Sequence, residues 1–546
     1  MRCISSFLIF LLVLNTYSSA QSPLDKLTYT VGRPYPVVDA VEKLYFTHGT
    51  EMMSIKWTRK EIIVQKFNLK TMAQTGTKSF KPTPAGGAPE TFYQIKDKFY
   101  YFYSTYKKSE NITELKAKEI DFKTGSISET ERLVLSIPGG ANSMNSIFNS
   151  VTRFRFTTSY DSTKVLIRYE KGEHQINEAG FMGKEFNMTS VGLCIMNPDL
   201  TEMWKQEVEM PGSDKKRRVE IMSYTLSNEG QVFILSRVFE DESGKIKKGK
   251  NEAANYHLEV WMAKSGSNTF VQNSINVADN HITRARLFGV QDGVVGAGFY
   301  CKVINMDNKR GIGEQNADGI YAFKADKSGK LENMVYHEIP LEILNMYSSK
   351  SDQQKNNKEN KNAEFENMEL DRLHVAADGS ITLIGEQISS VSTYQSQGGY
   401  TSTNYFCKDI LVSKINADGS LAWMKRLPKR QEGTNLALMS YFYDYNSATS
   451  SHILLFLDNE KNKTLEVDKV PSTLNATGGG YLTAYSVNEE SGEISKKYLF
   501  DVRNVKGIVA AQFSTDRIEA SGNDDYVIEV YKKDKEDVLI KLSMKN

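Results

Sequence analysis

The sequence predicts an all-β fold, a β-propeller of four-stranded antiparallel blades numbering about eight, with seven as the alternative. Three observations carry this. Only 12 prolines stand against 28 tyrosines and 26 phenylalanines, spread over many short alternating runs, which favours strands over helices. A unit of strand, Asp/Asn/Gly/Ser turn and strand recurs along the chain, as in 410–428, ILVSKINADGSLAWMKRLP. No amphipathic helical pattern longer than two turns breaks the succession.

The recurrent hairpin falls at 62–80, 117–135, 192–210, 258–276, 320–339, 410–428, 482–501 and 527–544. A second hairpin precedes most copies, at 92–104, 156–170, 221–238, 286–300, 372–387 and 439–457, with turns rich in Asp-Gly, Glu-Gly or Asn/Ser/Asp that supply left-handed backbone. Two hairpins make one four-stranded sheet. The units begin near 90, 153, 219, 282, 368, 436 and 507, so they repeat every 63 to 71 residues, apart from one insertion that stretches the spacing to 86. Such a sheet buries too little by itself, and radial packing of like sheets both buries its faces and protects its edges. The flanks 38–80 and 507–544 either form a blade each, giving eight, or combine into one, giving seven. Eight is favoured because each flank carries its own second hairpin.

The first 20 residues read as a secretory signal: basic Arg2, an apolar run from Phe7 to Leu14, and Ser18-Ser19-Ala20 at the cleavage end. Residues 21–546 are then a single propeller domain, interrupted at 348–367 by a polar insertion expected to be a disordered loop. Loss of Arg2 from the 68 basic residues leaves 67 against 67 acidic ones, a balance that excludes a nucleic-acid footprint. No later run is apolar enough to span a membrane. Cys194, Cys301 and Cys407 are expected to be buried free thiols.

The turn Asn416-Ala417-Asp418-Gly419-Ser420 with Trp423, and its counterpart Asn197-Pro198-Asp199-Leu200-Thr201 with Trp204, resembles the turn of quinoprotein-type propeller repeats and, more loosely, the Asp-box of sialidases. In those families the Asp caps the turn and the Trp wedges between blades. The chain as a whole resembles uncharacterised secreted propeller-like proteins of Bacteroidota, which implies a periplasmic, outer-membrane-associated or secreted location.

Signatures of chemistry are missing from the sequence. Vicinal cysteines, HExxH, GxSxG and a P-loop are absent, and the seven histidines stand singly, so neither cofactor nor metal is expected. His374 falls in a strand, His174 and His281 in expected loops. Segment 458–462 begins like a calcium loop but lacks its later ligands. Four Asn-x-Thr sequons occur, at Asn111, Asn187, Asn462 and Asn475.

The joins between second and third strands, 171–188, 239–255, 302–318, 390–407 and 459–479, are long and fall on one face. That face is the expected binding surface. Arg155, Arg218, Arg286 and Arg372 open four successive inner strands and could line a channel mouth as an anion site, against a structural reading as ion pairs with Glu220, Glu369 and Asp371. The functional expectation is a monomeric, non-enzymatic propeller binding an envelope protein or glycan on the long-join face. The alternative is a glycan hydrolase or lyase with its site at the channel mouth.

Overall fold

The computed structural model describes residues 23–544 except 84–86, 140–143, 146–150, 177–181, 212–217, 241–253, 268, 276, 278–279, 303–315, 360–362, 396–399, 476–478, 523–524 and 533. The signal-like residues 1–20 lie outside the described residues, as do most of the joins 239–255 and 302–318.

Eight antiparallel sheets follow one another around a ring. Blade 1 comprises Glu42–His48, Glu51–Trp57, Ile62–Asn68 and Ala73–Phe80. Blade 2 has Gly87–Ile95, Lys98–Lys107 and Ile112–Asp121, with Ser126–Ile127 and Arg132–Pro138 sharing the outer position. Blade 3 runs Arg155–Thr158, Val165–Ile176, Met182–Met196 and Glu202–Glu209; blade 4, Val219–Leu226, Val232–Phe239, Tyr256–Ala263 and Val271–Ile275. Blade 5 is His281–Val290, Gly293–Cys301, Gly319–Ala325 and Leu331–Glu338; blade 6, Met368–Val375, Ile381–Gln395, Tyr400–Ile415 and Leu421–Leu427. Blade 7 is Phe442–Asn446, Ser451–Asp458, Tyr481–Asn488 and Ile494–Asp501. Blade 8 takes Ile518–Ser521, Asp525–Lys532 and Glu536–Met544 from the C-terminal end and its fourth strand, Leu27–Val31, from the N-terminal end.

The apolar side chains sort into eight clusters, one for each junction of adjoining blades. Ile384, Val412 and Trp423 of blade 6 meet Leu454, Phe456 and Tyr485 of blade 7, and Met52 and Phe67 of blade 1 meet Val527 and Leu539 of blade 8. Eight junctions among eight blades mean that the ring is closed. The central strands of each blade are buried on both faces, which is why 232–239, 293–301 and 451–458 read as continuous rather than alternating runs.

A buried ionic latch spans the closing junction. Lys56, fully buried, donates to Glu529 Oε2 at 2.7 Å and Asp537 Oδ2 at 3.0 Å. The phenols of Tyr35 and Tyr45 donate to Glu529 at 2.6 and 2.8 Å. Although burial opposes its charge, two lysines and two donors hold Glu529 below the usual carboxylate range, at about 2, whereas burial and the charge of Glu529 push Asp537 up.

Two sequence expectations change. Joins 171–188 and 390–407 are not loops: their strands continue past the blade body as paired arms, with Ile388↔Cys407 to Gln395↔Tyr400 in blade 6. Alternating Ser, Thr and Tyr suit a two-stranded ribbon as well as a loop. The insertion expected to be disordered at 348–367 carries an α-helix, Lys350–Glu359. Ser349 starts it, its hydroxyl accepting from the Asp352 amide at 3.1 Å and donating to the Asp352 carboxylate at 2.6 Å. The preceding helix Leu341–Asn345 buries Ile343 and Leu344 against blades 5 and 6 and anchors it.

Replacing Lys56 by Met leaves the two buried carboxylates only the more distant Lys43, 3.5 Å from each, and the expected cost is about 3 kcal/mol in urea unfolding. An unchanged midpoint would show that the latch plays no part in holding the ring shut.

Candidate functional site

The four arginines singled out in the sequence sit on the first strands or at their entry, yet the neighbouring carboxylates serve other partners. Glu369 receives a two-pronged contact from Arg284, with Nε at 2.6 Å, and Glu220 is taken by Arg237 at 2.8 Å. Arg286 and Arg372 are exposed and meet at Asp371: Arg286 donates to its carbonyl at 3.4 Å, and Arg372 lies 3.8 Å from its carboxylate. Arg155 and Arg218, on blades 3 and 4, each have interactions of their own. The structure thus links the arginines of blades 5 and 6 through one residue and leaves the other two on separate blades.

Other sequence candidates resolve as scaffold. Asp458 is buried and satisfied by Lys496 at 3.1 Å, Tyr498 at 3.0 Å and Asn462 at 2.6 Å. Asn462 is itself buried and donates to the Ser472 carbonyl, so this sequon offers no accessible amide. His174 and His281 lie on strands rather than in loops, His281 buried at the start of blade 5. The three cysteines are free and buried, and burial lifts the thiols of Cys194 and Cys407 to about 12. Among the described residues no group of three or more His, Cys, Asp and Glu side chains is placed to hold a metal ion.

A cleft of about 790 Å³ opens on the face opposite the long joins. Its walls are the turns joining first to second strands in blades 3, 5, 6 and 7, represented by Tyr160, Asp292, Asp378 and Ser450, together with the outer-hairpin turns of blades 5 and 7 at Asp326 and Glu489. These turns are held by their own side chains. Asp378 accepts from the Ser380 amide and hydroxyl at 2.9 and 2.7 Å, and Asp326 does the same with Ser328 at 2.7 and 2.6 Å. The turn of blade 6 at Asp418 repeats this on Ser420, and Trp423 beyond it reaches into blade 7, where its indole donates to the Glu489 carbonyl at 3.2 Å. Trp204 likewise reaches into the next blade, but at its first-to-second-strand turn, donating to the Gly230 carbonyl of blade 4 at 3.1 Å. A Cβ at Gly492 would stand 2.7 Å from Trp423, so the turn carrying Glu489 is packed directly on the indole.

Glu489 is 5% exposed. One carboxylate oxygen accepts from the Tyr445 phenol, while the other, Oε1, has no hydrogen-bond partner and lies 3.8 Å from His374 Nε2. His374 stacks on Tyr445 with centroids 3.8 Å apart. Burial opposes the charged form of His374 more than Glu489 favours it, so its basicity falls below the ordinary histidine level. Behind it His452 is fully buried, its Nδ1 3.1 Å from the Tyr443 phenol and its Nε2 without a partner. Burial, with His374 and Lys414 close by, holds His452 at about 3, and burial lowers His374, so both rings are neutral at neutral pH. Six carboxylates, Asp292, Asp326, Glu332, Asp378, Glu489 and Glu490, line the cleft against two lysines, Lys324 and Lys414.

Sequence reasoning missed Glu489 and Tyr445 because each falls in an ordinary hairpin of blade 7 and meets His374 only across the junction with blade 6. The legible signal was the Asp418-to-Trp423 turn, whose indole fixes Glu489.

No family model and no curated protein matches the chain. Among solved structures it is similar to a prolyl endopeptidase at 10% identity and TM-score 0.37, covering 93% of this chain and 55% of that one, so the chain spans about half that protein's length. It is also similar to the β-propeller domain of the Trilobed protease from Pyrococcus furiosus, at 9% identity, coverage of 87% and 96%, and TM-score 0.31. The WD40 domain of SCAP from fission yeast follows at 9%, with coverage of 96% and 99% and TM-score 0.35. At such distances the ring is established by its own strand order and junctions.

Two outcomes follow. Arg286 and Arg372 both changed to Gln should leave stability within about 0.5 kcal/mol, whereas Arg284→Gln strands Glu369 and should cost about 1 kcal/mol in chemical unfolding; the reverse order would assign the blade 5 to blade 6 contact to the exposed pair. For His452, the unfolded chain takes up a proton near pH 6.5 that the folded chain refuses until about 3. Its contribution is complete above about pH 6.5 and is lost as the pH falls, by at most about 1.4 kcal/mol per unit. Between about pH 7 and pH 5, His452→Gln should therefore lose about 2 kcal/mol less than the native chain. Equal losses in paired urea titrations would show that His452 is protonated in the fold.

Proposed function

We propose that this protein is a non-catalytic binding propeller of the bacterial cell envelope, and that it receives a segment of a protein partner in the acidic cleft on the turn face. The observation that carries the proposal is the concentration of six carboxylates against two lysines in a preformed cleft whose turns come from four blades. Rigid turns from several blades make a surface that needs little reorganisation on binding, which lowers the cost of association. An excess of carboxylates attracts cationic groups, which proteins carry in Lys and Arg and neutral or acidic glycans lack. The signal-like residues 1–20 support export, and the fold supports a binding or scaffolding role in general.

The face differs from the one expected in the sequence. Two of the joins that suggested a loop-built surface are paired arms, and the described cleft lies on the opposite side of the ring.

The hydrolase or lyase alternative draws less support. A glycosidase pair needs one carboxyl that keeps its proton near neutral pH, but Asp326 and Asp378 are held low by hydrogen bonds within their turns. Glu519 is pushed to about 7 by burial and by Asp444, yet neither residue lines the cleft. Tyr445, raised to about 12 by burial and Glu489, keeps its proton and is a poor base.

Occlusion separates the two faces. Ala377, exposed at the blade 6 turn, becomes Trp to fill the cleft, and Tyr394, 67% exposed on the blade 6 arm, becomes Arg. In affinity capture from an envelope fraction, Ala377→Trp should lose the protein retained by the native chain while Tyr394→Arg keeps it, with both melting within a few degrees of native. Retention by Ala377→Trp with loss by Tyr394→Arg would move the binding surface to the long-join face, and capture of glycan in place of protein would replace the partner class.

A further inference from the structure

We infer that the half-satisfied Glu489 carboxylate is the anchor for a primary ammonium group, the ε-amino group of a lysine on the docking segment. This deepens the binding reading above and rests on it for the source of the lysine, but not for the chemistry of the site.

Several other buried carboxylates of the ring are satisfied from within, and of the further two with an unpartnered oxygen, Asp537 and Glu114, neither lines the cleft. Glu386 is met by Lys429 and by Ser440, Asp409 by Arg426 Nε at 2.7 Å and the Lys429 amide at 2.8 Å, and both oxygens of Glu529 are occupied. Glu489 is the exception at the cleft: it is as buried as these, yet Oε1 has no donor. A carboxylate oxygen left without a partner at such depth carries a desolvation penalty that a donor from outside would relieve.

The groups facing it do not supply that donor. From blade 6 come His374, neutral and 3.8 Å away, and Lys414, which lines the same cleft; from blade 7 come Tyr445, already spent on the other oxygen, and Glu490. His374 can supply a charge only when protonated, which its burial opposes. At neutral pH the missing donor is therefore left to a group that enters through the cleft and displaces the side chains covering Oε1. A compact ammonium with three donors suits a single recessed oxygen at the end of a long apolar stem, whereas a guanidinium gains most from two coplanar acceptors, and here the second oxygen already accepts from Tyr445. The stacked His374 and Tyr445 rings form an aromatic wall beside the path of such a stem.

The test is calorimetric titration of the full chain with three probes: the peptide acetyl-Ala-Ala-Lys-Ala-Ala-amide, the same peptide with Nε-acetyl-lysine, and spermidine. The lysine peptide is expected to bind, the acetylated one about tenfold or more weaker, and Glu489→Gln to lose about tenfold or more for the lysine peptide while Glu490→Gln loses less. Circular dichroism confirms that both variants fold, and the exposed Glu490 variant keeps the comparison open should Glu489→Gln be unstable. Spermidine binding more tightly than the peptide, and lost in Glu489→Gln, would keep the ammonium site and reassign its source to a free polyamine, overturning the lysine assignment. Equal binding of lysine and acetyl-lysine peptides, native affinity in Glu489→Gln, or binding of none of the probes would overturn the inference altogether. The docking reading fails separately: if Ala377→Trp still captures the partner but the lysine peptide discriminates as above, the ammonium site stands without it.

Discussion

Ring closure by the strand Leu27–Val31, laid antiparallel on Glu536–Met544 with Leu27 opposite Met544, is the constraint on which the other seven junctions rely. A four-stranded sheet with two apolar faces is stable only between two others, so an open arc would leave one face of blade 1 and one of blade 8 in water. Closure joins residues some 500 positions apart, which makes it expensive in chain entropy, although the cost grows only slowly with loop length. The side chains at the seam answer that cost in two ways. Tyr35, Tyr45, Met52 and Phe67 bury apolar area against Val527 and Leu539, and Lys56 binds Glu529 and Asp537 in a fully buried site. The ionic part confers register more than energy, since charges removed from water regain in attraction roughly what they lose in hydration.

The same accounting distinguishes scaffold from site elsewhere. Buried charges such as Asp409 with Arg426 and Glu386 with Lys429 close within the fold and leave nothing to offer a ligand. Glu489 does not close, because burial lowers the basicity of its neighbour His374, 3.8 Å away, and its other neighbour Tyr445 donates to only one oxygen. Local incompleteness of this kind persists when the surrounding turns are rigid, and here they are: Trp423 pins the Glu489 carbonyl, the Glu489 amide donates to the Ser450 carbonyl at 2.9 Å, and the turn at Gly492 is packed on the indole.

The two faces of the ring are built differently. On one, second strands pass to third strands through long joins, two of which are paired arms. On the other, short Asp-capped turns converge, and six carboxyl-bearing residues line the space they share. One of these turns shows how firmly the geometry is imposed. Leu200 occupies, at φ 61°, the position that Gly419 holds at φ 89° in the equivalent turn: Leu200 donates to the Asn197 carbonyl and Asn197 to the Thr201 carbonyl, as Gly419 does to Asn416 and Asn416 to Ser420. The strain of a left-handed leucine is offset by burying its side chain between blades 2 and 3.

The repeat was legible without coordinates because each hairpin is a local object. Strand alternation, the Asp-Gly turns and the near-constant spacing are properties of twenty consecutive residues, and they determine the blade and, by repetition, a ring of about eight. The helix at Lys350–Glu359 escaped because it has no apolar face, so its sequence matches a solvated loop until the Ser349 cap and the neighbouring anchored helix are seen. The partners of the channel arginines escaped for a different reason: Glu369 lies three residues from Arg372 in the chain but pairs with Arg284 of the preceding blade. Which blade takes Leu27–Val31, which face holds the cleft, and that His374, Tyr445 and Glu489 share one wall are decided by contacts between blades. Those contacts arise only when sheets far apart in sequence are brought together by closure, and no local pattern encodes their register.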